Sequence, residues 1–146
     1  MKWMLLPAAL TVGLLVAADA KDDAVKKDME ALQGKWQIVS LERDGKSTDV
    51  AKDAVRVIKD DKYTVTPRPG VTIEGTFKID PSAKPKTIDV TPTTGDNKGK
   101  TSLGIYEIDG DALKICWAPS GKDRPTEFKS PEGSGLFLAV HKKAKE

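Results

Sequence analysis

Apolar and polar positions alternate through Val71-Thr72-Ile73-Glu74-Gly75-Thr76-Phe77-Lys78-Ile79, so Val71, Ile73, Phe77 and Ile79 share one face with Gly75 and polar residues take the other. Successive side chains of a strand point to opposite sides. A segment written this way buries one face and wets the other, as antiparallel sheets commonly do. Gly75 in mid-strand marks a bend or a close approach. Shorter runs rich in β-branched and aromatic residues predict further strands at Lys35–Arg43, Ala54–Lys59, Lys62–Thr66, Lys86–Thr91, Thr101–Ile108, Ala112–Trp117, Thr126–Lys129 and Leu136–Lys142. Asp60-Asp61 and Asp109-Gly110-Asp111 fall between such runs as tight hairpin turns, Gly110 being the residue that accepts positive φ without strain. Many short strands, frequent turns and little helix predict an all-β fold, an antiparallel barrel or sandwich of about eight strands.

One segment has a different period. Val25, Met29 and Leu32 recur at spacings of four and three among charged residues, which predicts a short amphipathic helix started by Asp22 or Asp23 and stopped at Gly34. Too short to stand alone, it must lay its apolar stripe against the sheet. Ahead of it, Met1-Lys2, an apolar run from Trp3 to Ala18 and the small residues of Ala18-Asp19-Ala20 have the form of a secretory signal peptide over residues 1–20, cut before Lys21. The run falls short of the about 20 apolar residues of a membrane span, and Pro7 and Gly13 interrupt it. An uncleaved N-terminal anchor is the alternative. The expectation is a secreted or periplasmic protein with no permanent membrane span after cleavage and a single mature domain over residues 21–146.

Composition narrows the function. Loss of the leader removes Lys2 and Asp19, so the balance of 24 basic and 22 acidic residues becomes 23 and 21, and the net charge stays at +2. Charges this evenly mixed argue against nucleic acid as a partner, since such binders gather basic residues on one face. The Lys142-Lys143-Ala144-Lys145 cluster reads as a solvated terminus. Cys116 is the only cysteine, so no intramolecular disulfide is available even in an oxidising compartment, and beside Ile115 and Trp117 it reads as a small buried hydrophobe. Thr91–Lys100 and Pro119–Arg124 are the longest loops, and no interdomain linker or internal repeat is visible.

Three pieces carry a resemblance: Leu32-Gln33-Gly34-Lys35-Trp36, the block from Gly104 to Cys116 (GIYEIDGDALKIC), and Arg124-Pro125-Thr126-Glu127-Phe128. Together they resemble an uncharacterised family of small exported domains expanded in planctomycete bacteria, over about Met29 to Lys142. The resemblance implies a lipocalin-like β-barrel and no particular activity. Gly34-x-Trp36 is similar to the opening of lipocalin barrels, where a Trp on the first strand closes the floor and a basic residue near the last strand packs over it. Gly34 and Trp36 are then structural, with Lys142 and Lys143 as the basic candidates; Trp36 as ordinary core explains the residue equally well.

Catalytic chemistry finds little support. Thr94-Gly95-Asp96-Asn97-Lys98-Gly99-Lys100-Thr101 imitates a phosphate-binding loop, but its first Gly is one place late and a strand follows where a helix is required. His141 is the sole histidine, so a metal site built from several His or Cys ligands cannot form within one chain. No metal and no cofactor are expected. Asp109-x-Asp111 has turn geometry and lacks the further oxygen ligands of a calcium loop. Cys116 and His141 form the one available Cys/His pair, and simple alternation places both on the face opposite the core, with Leu136, Leu138 and Val140 inward. No catalytic residue is assigned. The remaining polar and aromatic set, Arg56, Tyr63, Tyr106, Trp117 and Arg124, either lines the mouth of a ligand-holding barrel or fills its interior and rim. Three functions stay open: a non-enzymatic binding module for a small apolar or amphipathic molecule or cell-envelope component, an extracytoplasmic protein-interaction module working through edge strands and loops, and, least supported, a hydrolase.

Overall fold

The computed structural model describes residues 22–144; the expected leader and its cleavage point lie outside them. A helix, α1 (residues 22–32), precedes β1 (Gly34–Arg43), β2 (Lys46–Thr48), β3 (Val55–Lys59), β4 (Lys62–Arg68), β5 (Val71–Asp80), β6 (Thr87–Pro92), β7 (Ser102–Asp109), β8 (Ala112–Trp117) and β9 (Phe137–Lys143). The sheet order is β2-β1-β3-β4-β5-β6-β7-β8-β9, and β1 also pairs with β9, so eight strands close into an antiparallel barrel with β2 as an added flap. Apart from β2, strands that follow one another in sequence are neighbours in space, an up-and-down barrel whose closure removes the long free edges that invite aggregation. Among the described residues no helix is long and apolar enough to cross a membrane.

Both expected hairpins form, with Lys59 opposite Lys62 and Asp109 opposite Ala112, and Gly110 has φ 58°. The expected strand at Thr126–Lys129 does not: that stretch belongs to a strap, residues 118–136, lying outside the barrel between β8 and β9. β2, unforeseen from the sequence, is three exposed residues in a tight return from β1. β1 carries a bulge between Ile38 and Ser40, which leaves Val39 turned to solvent and keeps Ile38 and Leu41 both facing inward.

The lower end is closed by α1. Leu32 and Met29 join Trp36, Ile58, Tyr106 and Leu113 in the core, as the apolar stripe required. The Trp36 indole N–H donates to Leu32 O at 2.8 Å, satisfying a carbonyl at the helix end that has no intrahelical partner. Lys143 sits over the Trp36 ring, its Nζ 4.6 Å from the centroid, and donates to Gln33 O. Of the two basic candidates, the structure therefore uses Lys143. Asp28 is the unforeseen part of this closure: 8% exposed, it accepts from Tyr106 Oη at 2.7 Å and from Lys86 Nζ at 2.9 Å. The Gln33 side chain clamps the β3–β4 turn by accepting from Asp60 N and donating to Asp60 O, which holds Asp60 at φ 56°.

Gly75 is explained by close approach. A Cβ there would stand 2.5 Å from Cζ of Tyr63, the residue directly opposite on β4. Gly75→Ala is expected to push the Tyr63 ring inward and to cost about 1–3 kcal/mol in urea unfolding; a change below about 0.5 kcal/mol would show that the ring is free to move.

Candidate functional site

The barrel interior above the floor is hollow. A cavity of about 350 Å³ runs up from Leu32, Ile58 and Phe77 past Val65, Ile73, Ile88, Val90 and Ile115. Leu41, Pro67, Pro92, Trp117, Phe137 and loop residues 94–97 line its upper part. The walls come from the inward-facing half of each strand, so the alternation that builds the sheet also makes the space apolar. Trp117 and Phe137 are paired across β8 and β9 and stack with centroids 5.1 Å apart and planes 4° apart. The Arg43 guanidinium lies 5.1 Å from the Phe137 centroid on the opposite side of the seam between β1 and β9.

Polar residues Thr94, Asp96, Asn97 and Ser102 lie in the lining, and among the described lining residues Arg56 is the one cation. Arg56 projects inward from β3 and is 8% exposed. Its Nε–H donates to His141 Nε2 at 3.1 Å, and its guanidinium lies over Tyr63, 5.5 Å from the ring centroid. Arg has no acceptor, so His141 Nε2 must carry a lone pair and the imidazole proton must sit on Nδ1, donated to Leu113 O at 3.0 Å. The two residues select one tautomer and one orientation. Burial, reinforced by the Arg56 charge, pulls His141 down to about 3 against the weaker lift from the Leu113 hydrogen bond, so the ring is neutral. Burial pulls Arg56 down to about 10, partly opposed by Tyr63, so the guanidinium is still protonated at neutral pH. Burial also raises the Tyr63 phenol, with Arg56 acting the other way.

The expected polar and aromatic set is therefore divided. Arg56, Tyr63 and Trp117 line the cavity. Tyr106 lies below it as part of the floor, where burial first and then the Asp28 hydrogen bond and charge raise its phenol far above the ordinary value. Arg124 lies on the outer wall: Nη1 donates to Gly104 O at 2.8 Å and Nη2 is 2.7 Å from Asp89 Oδ1, which pins the strap against β6 and β7.

The strap also corrects the reading of β9. Phe137, Ala139 and His141 face inward opposite Trp117, Ile115 and Leu113. Leu138 pairs with Cys116 on the outer side, where Cys116 is fully buried and its thiol contacts Lys129 O at 3.4 Å. Burial raises that thiol, only partly offset by the Lys129 contact. Cys116 and His141 thus stand on opposite sides of the wall and cannot act as a nucleophile and base. The loop that imitates a phosphate-binding motif sits at the cavity mouth and leads into β7, not into a helix. Among the described residues no three His, Cys, Asp or Glu side chains gather as a metal site would require. His141 was missed as an interior residue because the sequence signal for its strand is apolar on both faces.

The chain matches no protein-family model, no curated protein and no solved structure.

Proposed function

We propose that this protein is an exported, non-enzymatic binding module that holds a small apolar or amphipathic molecule inside its barrel. The carrying observation is the cavity of about 350 Å³, walled by aliphatic and aromatic side chains and reaching the upper end of the barrel. Close packing is the rule in protein interiors, and a concave apolar space above about 300 Å³ with a few polar groups is the usual form of a ligand site. Core filling alone does not call for such a space. Closure of β1 on β9 favours this reading over docking through edge strands, since β2 adds only three residues beyond the closed wall. Export rests on the leader pattern of residues 1–20, and the mature N-terminus would then be Lys21.

Protein recovered from the medium or periplasm of its own host, measured by native mass spectrometry, tests both parts. The expected result is a chain beginning at Lys21 that carries a reproducible small-molecule adduct. A clean apo chain that also takes up no alkyl ligand from solution would overturn the binding role, and recovery only from the cytoplasm with residues 1–20 retained would overturn export.

A further inference from the structure

Arg56, the one cation among the described residues that line the cavity, indicates what the ligand carries. Arg56 has one nitrogen engaged by the protein, Nε to His141. Its Nη groups have no hydrogen-bond acceptor among the described residues and are not among the sealed, unpartnered buried atoms, and Arg56 lines the cavity. No carboxylate of the described residues forms an ion pair with it. A charge held this deep is costly unless it is paired and hydrogen-bonded, and a Met or Leu at the same position would fill apolar space at no such cost. The His141 bond engages Nε and leaves the two Nη nitrogens, the outer edge of the fork, for another acceptor. That edge matches a planar two-oxygen anion, which Arg binds with two parallel hydrogen bonds.

We propose that the cavity takes a monoanionic amphiphile, a carboxylic acid on a hydrocarbon chain, with its carboxylate on the Nη edge of Arg56 and its chain along the apolar wall. This deepens the binding role proposed above and rests on it. A single positive charge favours a singly charged head, because a dianionic phosphate would leave one charge uncompensated in an apolar space. At about 30 Å³ per water-sized group, a cavity of about 350 Å³ has room for at least about a dozen non-hydrogen atoms, the size of a medium-chain acid.

Decanoate and 1-decanol, which share the hydrocarbon and differ in the head, separate the two levels of the claim when titrated into the purified protein by calorimetry at pH 7.5. The acid is expected to bind about ten- to a hundredfold tighter than the alcohol, and Arg56→Gln is expected to erase most of that preference while alcohol binding persists. Equal affinities in the parent protein would overturn the carboxylate assignment and leave the apolar-ligand role standing. Binding of neither would overturn both. An acid preference that survives in a folded Arg56→Gln variant would move the head group elsewhere in the molecule. The parent comparison needs no variant, so poor folding of Arg56→Gln would not rescue the proposal.

Discussion

Trp36→Ala is expected to remove about 3–5 kcal/mol of stability, the largest loss from any single side chain of the barrel floor. Three contributions go together. The indole is 1% exposed and packs with Leu32, Ile58 and Leu113 in one core cluster. Its N–H satisfies Leu32 O at the end of α1. Its ring carries the Lys143 ammonium, a contact of about 0.5–2 kcal/mol by itself. Because two of these contacts hold the end of the helix, amide exchange over residues 22–32 should rise more than exchange in β7 and β8. Trp36→Phe keeps most of the volume and loses the donor, so it should cost about 1–3 kcal/mol. Urea unfolding of the three proteins checks the series, and a loss below about 1 kcal/mol for Trp36→Ala would mean that the helix and floor are held by other contacts.

The second large effect is on pH dependence. His141 is neutral in the fold because its pKa is pulled from 6.5 to about 3, mainly by burial and then by Arg56. In the unfolded chain the same ring gains a proton near pH 6.5. Below that pH the unfolded state binds more protons than the folded one, so stability falls as the pH drops, until the folded ring also protonates near pH 3. Between pH 7 and pH 4 this one residue should remove about 3 kcal/mol. His141→Gln keeps an acceptor for Arg56 and a donor for Leu113 O but does not titrate. The stability difference between parent and variant, measured by urea unfolding at intervals from pH 7 to pH 4, should therefore shift by about 3 kcal/mol in favour of the variant, with the carboxylates common to both cancelling. Parallel curves would mean that the buried ring is protonated or that solvent reaches it.

These interior groups also mark where the sequence was legible and where it was not. Strict alternation in β5 gave the correct inward face, because solvent covers the other side and its polar residues are unambiguous. The hairpins at Asp60 and Gly110 were equally clear, since turn chemistry is local. β9 was misread for a physical reason. Its outer face packs toward the strap that also covers Ile105 and Cys116, so Leu138 on the outside looks as apolar as Ala139 on the inside. A period of two cannot choose between faces that are both covered. Arg124 was drawn into the ligand set by its type, and only the path of the strap shows that it belongs to the outer wall. Asp28 follows the same logic in reverse: three places from Val25 and four from Leu32, it borders the apolar stripe of α1, a position where a charged residue signals a buried partner. Nothing in the sequence distinguished a hollow barrel from a filled one, because the cavity is set by how far opposite walls stand apart.

A crystal structure of the protein grown with decanoate tests the central claim most directly. The expected result is the hydrocarbon inside the barrel against Ile73, Val90 and Trp117, with the carboxylate about 3 Å from the Arg56 Nη atoms. Density confined to the outer surface, or an interior collapsed around Arg56 with no ligand, would contradict it.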